Sequence, residues 1–283
     1  FNIIRYKKFF VNFFTQIFYF INFTYIYFFF IISINNCDIF WYSFDILFVI
    51  AFNKTKYFWW IIMHNVVNNL ISIQNELKIK INNLNLINYN PKIVAVSKTF
   101  LIKDIIPLIN HGHIHFGENK VQEAVEKWTD IKNDFKNIKL HMVGKLQTNK
   151  VKFAIPLFDY IHSLDNLKLA EKISKEQIKK NKIINLFIQI NIGNEKQKSG
   201  ILIEELDSFY KKCTEDLGLK IIGLMCLPPN EEKSSFYFVK MKQLTEKLCL
   251  KEISMGMSSD YLDAINFQTT YLRIGTKIFG DRN

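Results

Sequence analysis

One lysine in this chain stands where a lysine is hard to explain. Residues 92–100 read KIVAVSKTF, an apolar β-type run carried straight into Ser97, Lys98 and Thr99. Lysine is a poor strand former and is rarely buried without a partner. At the end of a strand, Lys98 has two chemical uses. Charged, its ammonium binds an anion. Desolvated, with its pKa lowered, its amine attacks an aldehyde to form a Schiff base. The lysine alone leaves both uses open.

Two later segments could hold a phosphate. In SMGMSSDYLDAI (residues 254–265), Gly256 allows close backbone approach, and Ser258 or Ser259 can cap the helix that follows. In RIGTKIFG (residues 273–280), Gly275 and Thr276 offer N–H and O–H donors. Plain helix capping accounts for the same residues equally well. An aldehyde-seeking lysine opposite a phosphate cradle describes a site for pyridoxal phosphate. Arg273 lies inside an apolar strand and needs a partner there. Facing a pyridine nitrogen, it would keep that nitrogen unprotonated and limit carbanion chemistry. Alternatively, it pairs with a carboxylate such as Glu118. His111, His113 and His115 are spaced by two, but no carboxylate or cysteine pattern joins them into a metal site. His141 reads as a core or mouth residue.

The elements that must position these groups alternate along residues 92–280. Eight apolar β-type runs are KIVAVSKT, HIHFGEN, KLHMVGKL, YIHSLD, NLFIQINI, KIIGLMCLP, EISMGMS and YLRIGTKIFG. Helical stretches such as 168–180, 204–215 and 234–247 separate them. This alternation predicts a parallel sheet, and eight strands favour closure into a single (β/α)8 TIM barrel over an open doubly wound sheet. Before it, HNVVNNLISIQNELKIKI predicts an amphipathic helix with Val67, Leu70, Ile71, Ile73, Leu77 and Ile81 on its apolar face. Most strand runs end in polar residues, and a barrel brings all those ends to one mouth.

Composition narrows the classes further. The net charge of +11 comes mainly from lysines scattered over helical segments, with no aromatic-plus-arginine stripe, so no nucleic-acid partner is expected. Cys37, Cys213, Cys226 and Cys249 form no CxxC pair and suit a reducing cytoplasm. Of the 43 aromatic residues, 25 lie in residues 1–62. That Phe/Ile-rich extension contains an uncharged run of membrane-span length preceded by Arg5, Lys7 and Lys8. It reads either as a membrane anchor or as translated AT-rich DNA ahead of a true start at Met63. A start at Met63 is the expectation, with no membrane association and with residues 63–283 as the functional domain.

The segments AVSKT, FGENKVQEA, HMVGKLQTNK, HSLD, QINIGNEKQKSG, GLMCLPP, SMGMSSDYLDAI and RIGTKIFG occur in that order. Together they resemble the pyridoxal-phosphate homeostasis proteins, which are related to the N-terminal barrel of alanine racemase. The resemblance covers about residues 64–282 and implies a fold-type III barrel. It implies that Lys98 carries pyridoxal 5'-phosphate as a Schiff base, with Asn119, Met257, Ser258, Arg273, Gly275 and Thr276 also binding the cofactor. Where the family usually has a small residue or proline, this chain has Lys145. The function implied is binding, storage and delivery of the cofactor to client enzymes, without established catalytic turnover, and a cytoplasmic monomer is expected. The alternative is a PLP-dependent amino-acid racemase or related enzyme. Racemases add a second domain with a tyrosine acid/base, for which residues 281–283 leave no room.

Overall fold

The computed structural model describes residues 65–195, 197–229 and 233–281. The anchor and start-site expectations for residues 1–62 lie outside these. No helix among the described residues is long and apolar enough to cross a membrane.

Helix α1 (65–83) buries Val66, Leu70, Ile73 and Leu77, spaced four, three and four apart, as one stripe against the barrel. The stripe is turned slightly from the expected face. Ile71 is 37% exposed, and Val66 takes the buried place expected near Val67. A surface helix buries what packing selects, and Ile71 falls just outside that arc.

Eight strands follow: β1 Lys92–Val96, β2 His115–Glu118, β3 Lys139–Met142, β4 Tyr160–Leu164, β5 Asn185–Ile190, β6 Ile221–Cys226, β7 Glu252–Ser254 and β8 Tyr271–Ile274. Each pairs in parallel with the next, and β8 pairs with β1 from Lys92↔Tyr271 to Ala95↔Ile274. The sheet is therefore a closed barrel, as the alternation predicted. Helices α2 (Ile102–Asn110), α3 (Val121–Asp134), α4 (Val151–Leu157), α5 (Leu167–Lys180), α6 (Leu206–Lys211), α7 (Ser234–Lys247), α8 (Tyr261–Ile265) and α9 (Thr276–Phe279) follow the strands in turn. The expected 204–215 helix is shorter. It is α6, continued by a π-helical turn over Lys212–Asp216.

Alternation along the strands divides the core in two. Outward residues such as Ala95, Phe116, Leu140, Ile188 and Leu272 pack with the helices into one large cluster. Inside the barrel, Val94, Phe187, Met225 and Tyr271 form a separate small one. The remaining interior is polar, built from His141, His162, Ser254 and Arg273, all buried, with half-buried His115.

Candidate functional site

The site residues expected from sequence come from four strands that are neighbours in the barrel wall. Lys98 follows β1, Asn119 follows β2, Met257 and Ser258 follow β7, and Arg273, Gly275 and Thr276 belong to β8 and its exit. The order around the wall is β7, β8, β1, β2. One quarter-to-half of the mouth thus gathers every predicted position.

Lys98 sits half-buried in the turn leaving β1. Its neighbours fix that turn from outside the barrel. Ser97 is fully buried; its N–H donates to Gly117 O at 2.9 Å and its hydroxyl to Glu118 Oε1 at 2.8 Å. Lys127 Nζ donates to Ser97 O and to Glu118 Oε1, both at 2.9 Å. Trp128 Nε1 donates to the same carboxylate oxygen at 2.9 Å. Thr99 adopts φ +70°, and its N–H donates to Glu123 Oε1 at 2.6 Å. The backbone on both sides of Lys98 is therefore clamped to α3. Glu118 faces this helix layer, so it is not the partner of Arg273.

At the other edge of the quarter, Gly256 has φ +90°, and a Cβ there would lie 2.8 Å from Ala264 Cβ and Leu272 Cδ2. Only glycine fits this conformation in that space. Its carbonyl accepts from Arg273 N–H at 2.9 Å, tying the β7 exit to β8. Ser258 does not cap the following helix, contrary to the capping expectation. Asp260 holds the N-cap position, and its carboxylate accepts from Met257 N–H at 2.6 Å. The Ser258 hydroxyl instead faces the β8 exit, where Gly275 N–H and Lys277 N–H approach it at 3.3 and 3.4 Å. These are long contacts. Two backbone donors and a hydroxyl converge here.

Arg273 lies inside the barrel, 5% exposed, with burial pulling its pKa down. Nη1 donates to Ser254 Oγ at 2.6 Å and Nη2 to Cys226 O at 2.8 Å. No carboxylate salt bridge to it occurs among the described residues. Below it the interior is a chain of rings. His162 Nδ1 lies 2.8 Å from Ser254 Oγ, His141 Nδ1 lies 2.9 Å from His162 Nε2, and His115 Nδ1 lies 2.9 Å from His141 Nε2. Burial lowers the pKa of His141 and His162 well below the usual imidazole range, with the Arg273 charge adding to the effect at His162. His115 is held down to about 4, first by burial and then by surrounding positive charge.

His141, expected in the core or at the mouth, lies in the core. His162 and Ser254, for which the local sequence suggests no role, are buried beside it. Their signal was present, since His115, His141 and His162 each sit on the inward face of consecutive strands. Seeing it requires the register, in which Gly117 pairs with His141 and His141 with Tyr160. Among the described residues no group of histidines, cysteines or acids is arranged to hold a metal.

The family model of the alanine racemase N-terminal domain matches residues 75–283. The chain belongs to this family. Within it, the chain is 37% identical over 200 residues to the pyridoxal phosphate homeostasis protein of Aquifex aeolicus, covering 68% of this chain and 87% of that one. It is 34% identical over 229 residues to the protein of that name from Haemophilus influenzae, covering 77% and 97%. The chain is thus a member of the pyridoxal phosphate homeostasis proteins. Among solved structures, PipY of Synechococcus elongatus with pyridoxal phosphate bound is similar, with TM-score 0.66 and 28% identity, covering 76% of this chain and 100% of that one. Alanine racemase from Corynebacterium glutamicum shares the fold at 16% identity and TM-score 0.58, covering 78% of this chain and 60% of that one.

Proposed function

We propose that this chain binds pyridoxal 5'-phosphate at the barrel mouth and serves its storage and delivery to client enzymes, without turnover of its own. The observation that carries the reading is the gathering of Lys98, Asn119, Met257, Ser258, Arg273, Gly275 and Thr276 on β7, β8, β1 and β2. The residues present fit the group. Gly275 N–H, Lys277 N–H and the Ser258 hydroxyl form a donor set suited to a phosphate ester. Arg273 offers a permanent N–H donor inside the barrel wall, suited to an unprotonated ring nitrogen. When bound, the cofactor supplies an aldehyde and an electron-withdrawing ring.

The chain's own residues then have separate tasks. Lys98 presents the amine, on a turn that Ser97 and Thr99 hold to α3. Asn119 leaves β2 beside it, and its backbone lies so close to Gly144 that a Cβ there would meet Asn119 O at 2.5 Å. Arg273 holds the ring end and opposes proton uptake there. A donor that cannot give up its proton weakens carbanion chemistry, which favours a carrier over a racemase. Residues 63–283 are the binding unit in this reading, working as a cytoplasmic monomer.

Borohydride treatment of the loaded full chain should leave a covalent pyridoxyl adduct on the peptide containing Lys98. Lys98→Ala should lose it while retaining its circular dichroism spectrum. An adduct of equal yield in Lys98→Ala sinks the assignment. Incubating the loaded protein with a panel of amino acids in deuterated water tests the carrier reading, and steady α-proton exchange overturns it.

A further inference from the structure

The hydrogen bonds inside the barrel can be given a direction. Arg273 has only donors, so Ser254 Oγ accepts from Nη1 at 2.6 Å. The serine's second contact is His162 Nδ1 at 2.8 Å, so its own proton goes there. His162 Nδ1 therefore accepts, and a neutral imidazole that accepts at Nδ1 carries its proton on Nε2. That N–H donates to His141 Nδ1 at 2.9 Å, which puts the His141 proton on Nε2 as well. His141 Nε2–H donates to His115 Nδ1 at 2.9 Å, and His115 is left with Nε2–H. One fixed charge thus sets the tautomer of three rings.

The far end of this chain lies at a second opening. His113 and His115 line a groove of 670 Å³ beneath the barrel, between α1 and the loop before β1, with Gln74, Lys78, Asn82 and Tyr89. His113 is tied to the His115 carbonyl through Nε2 at 2.9 Å. Lys92, Lys139 and Asp159 are the charged groups around His115, and Lys92 pairs with Glu252 at 3.5 Å. Tyr160 and Tyr271 pack against the His115 and His141 rings. At the mouth end the charged groups are Arg273 and Asp260. The chain is continuous from groove to mouth, with every link at 2.9 Å or less.

We propose that Ser254, His162, His141 and His115 form a proton relay of fixed resting direction, joining the mouth at Arg273 to the groove beneath the barrel. A proton delivered to Ser254 Oγ from the Arg273 side releases the serine's own proton to His162 Nδ1. His162 Nε2–H passes to His141 Nδ1, and His141 Nε2–H to His115 Nδ1. His115 Nε2–H then leaves to water in the groove. Each group forms one bond to hydrogen and breaks one, and one positive charge enters as one leaves. Afterwards the rings carry Nδ1–H, and the same steps reversed restore the resting state. At rest the groove end presents a donor, so the first transfer runs from mouth to groove and the resetting transfer runs back from groove to mouth. Burial, which keeps these rings neutral near pH 7, agrees with this.

The test needs no cofactor, so it stands or fails apart from the proposed function. In the full chain with 15N-labelled histidine, two-bond 1H–15N spectra should show His115, His141 and His162 as Nε2–H tautomers. Ser254→Ala should abolish that order at all three rings, including the distant His115, and Ser254→Thr should restore it. His141→Phe keeps a ring stacked on Tyr160. It should leave His162 ordered, release His115, and slow exchange of the His162 imidazole proton with deuterated water. Rings that serve only as packing would show no change at His115 in Ser254→Ala. That result, an Nδ1–H tautomer at any of the three in the unaltered protein, or equal His162 exchange rates with and without His141, overturns the relay.

Discussion

Ser97 and Thr99 flank Lys98 with opposite tasks from those of a catalytic hydroxyl, since both hold backbone. The Ser97 hydroxyl is spent on Glu118 and the Thr99 amide on Glu123, so α3 determines where the turn carrying Lys98 can go. Glu118 is the centre of that arrangement. It is fully buried and gathers Ser97, Lys127 and Trp128 on one oxygen. Removing its carboxylate leaves a nearly buried ammonium with Glu123 as its one remaining carboxylate among the described residues, and takes away the acceptor of Trp128 Nε1–H and the Ser97 hydroxyl. Glu118→Ala should cost about 3 kcal/mol of unfolding free energy in urea, the scale for breaking a buried pair from one side. It should also weaken cofactor retention, because the Lys98 turn loses its anchor. A variant as stable as the parent would show that this network does not hold the turn.

At the scale of elements, the exits of β7 and β8 act as a pair. Gly256 O binds Arg273 N–H, and the Gly275 and Lys277 amides face Ser258, so neither loop is shaped alone. Ser258→Ala removes one donor from the cradle and should weaken pyridoxal phosphate binding by about fivefold, the ~1 kcal/mol of an ordinary hydrogen bond. Pyridoxal, which lacks the phosphate, should bind both proteins alike; equal loss for both ligands would place Ser258 outside the cradle. Gly256→Ala forces a Cβ to 2.8 Å from two side chains at positive φ, and should lower the urea midpoint by an amount equivalent to about 2 kcal/mol. The strands and most helices were legible in the sequence because each carries its own period and its own polar ending. What was not legible depends on register between strands. Ser258 reads as a helix cap locally, yet its contacts come from β8, 17 residues on. Glu118 reads as a partner for Arg273 until the pleat puts the two on opposite faces. His162 sits in YIHSLD with nothing nearby to mark it, because its partners His141 and Ser254 lie 21 and 92 residues away.

Taken as a whole, the molecule keeps a polar column inside an apolar ring, and that choice has a consequence for acid stability. His113 and His115 have their pKa lowered from 6.5 to about 4, and His141 and His162 fall well below 6.5. Each therefore binds fewer protons folded than unfolded. Such a group contributes its full stability above its unfolded pKa, and loses it as pH falls from 6.5 towards the folded value. Carboxylates with lowered pKa, such as Glu76 and Glu123, act in the same sense but only as pH drops through 4.5 and below. The interval between about pH 6.5 and 5 accordingly isolates the histidines. Urea midpoints should be level above that interval and decline steadily through it, at up to ~1.4 kcal/mol per pH unit for each ring. His162→Phe, which removes one of the most deeply buried rings, should decline less steeply whatever its midpoint at neutral pH. A parent curve that stays flat from about pH 7 to 5 would mean that the interior rings take up protons without unfolding, which a column of neutral, mutually bonded imidazoles does not allow.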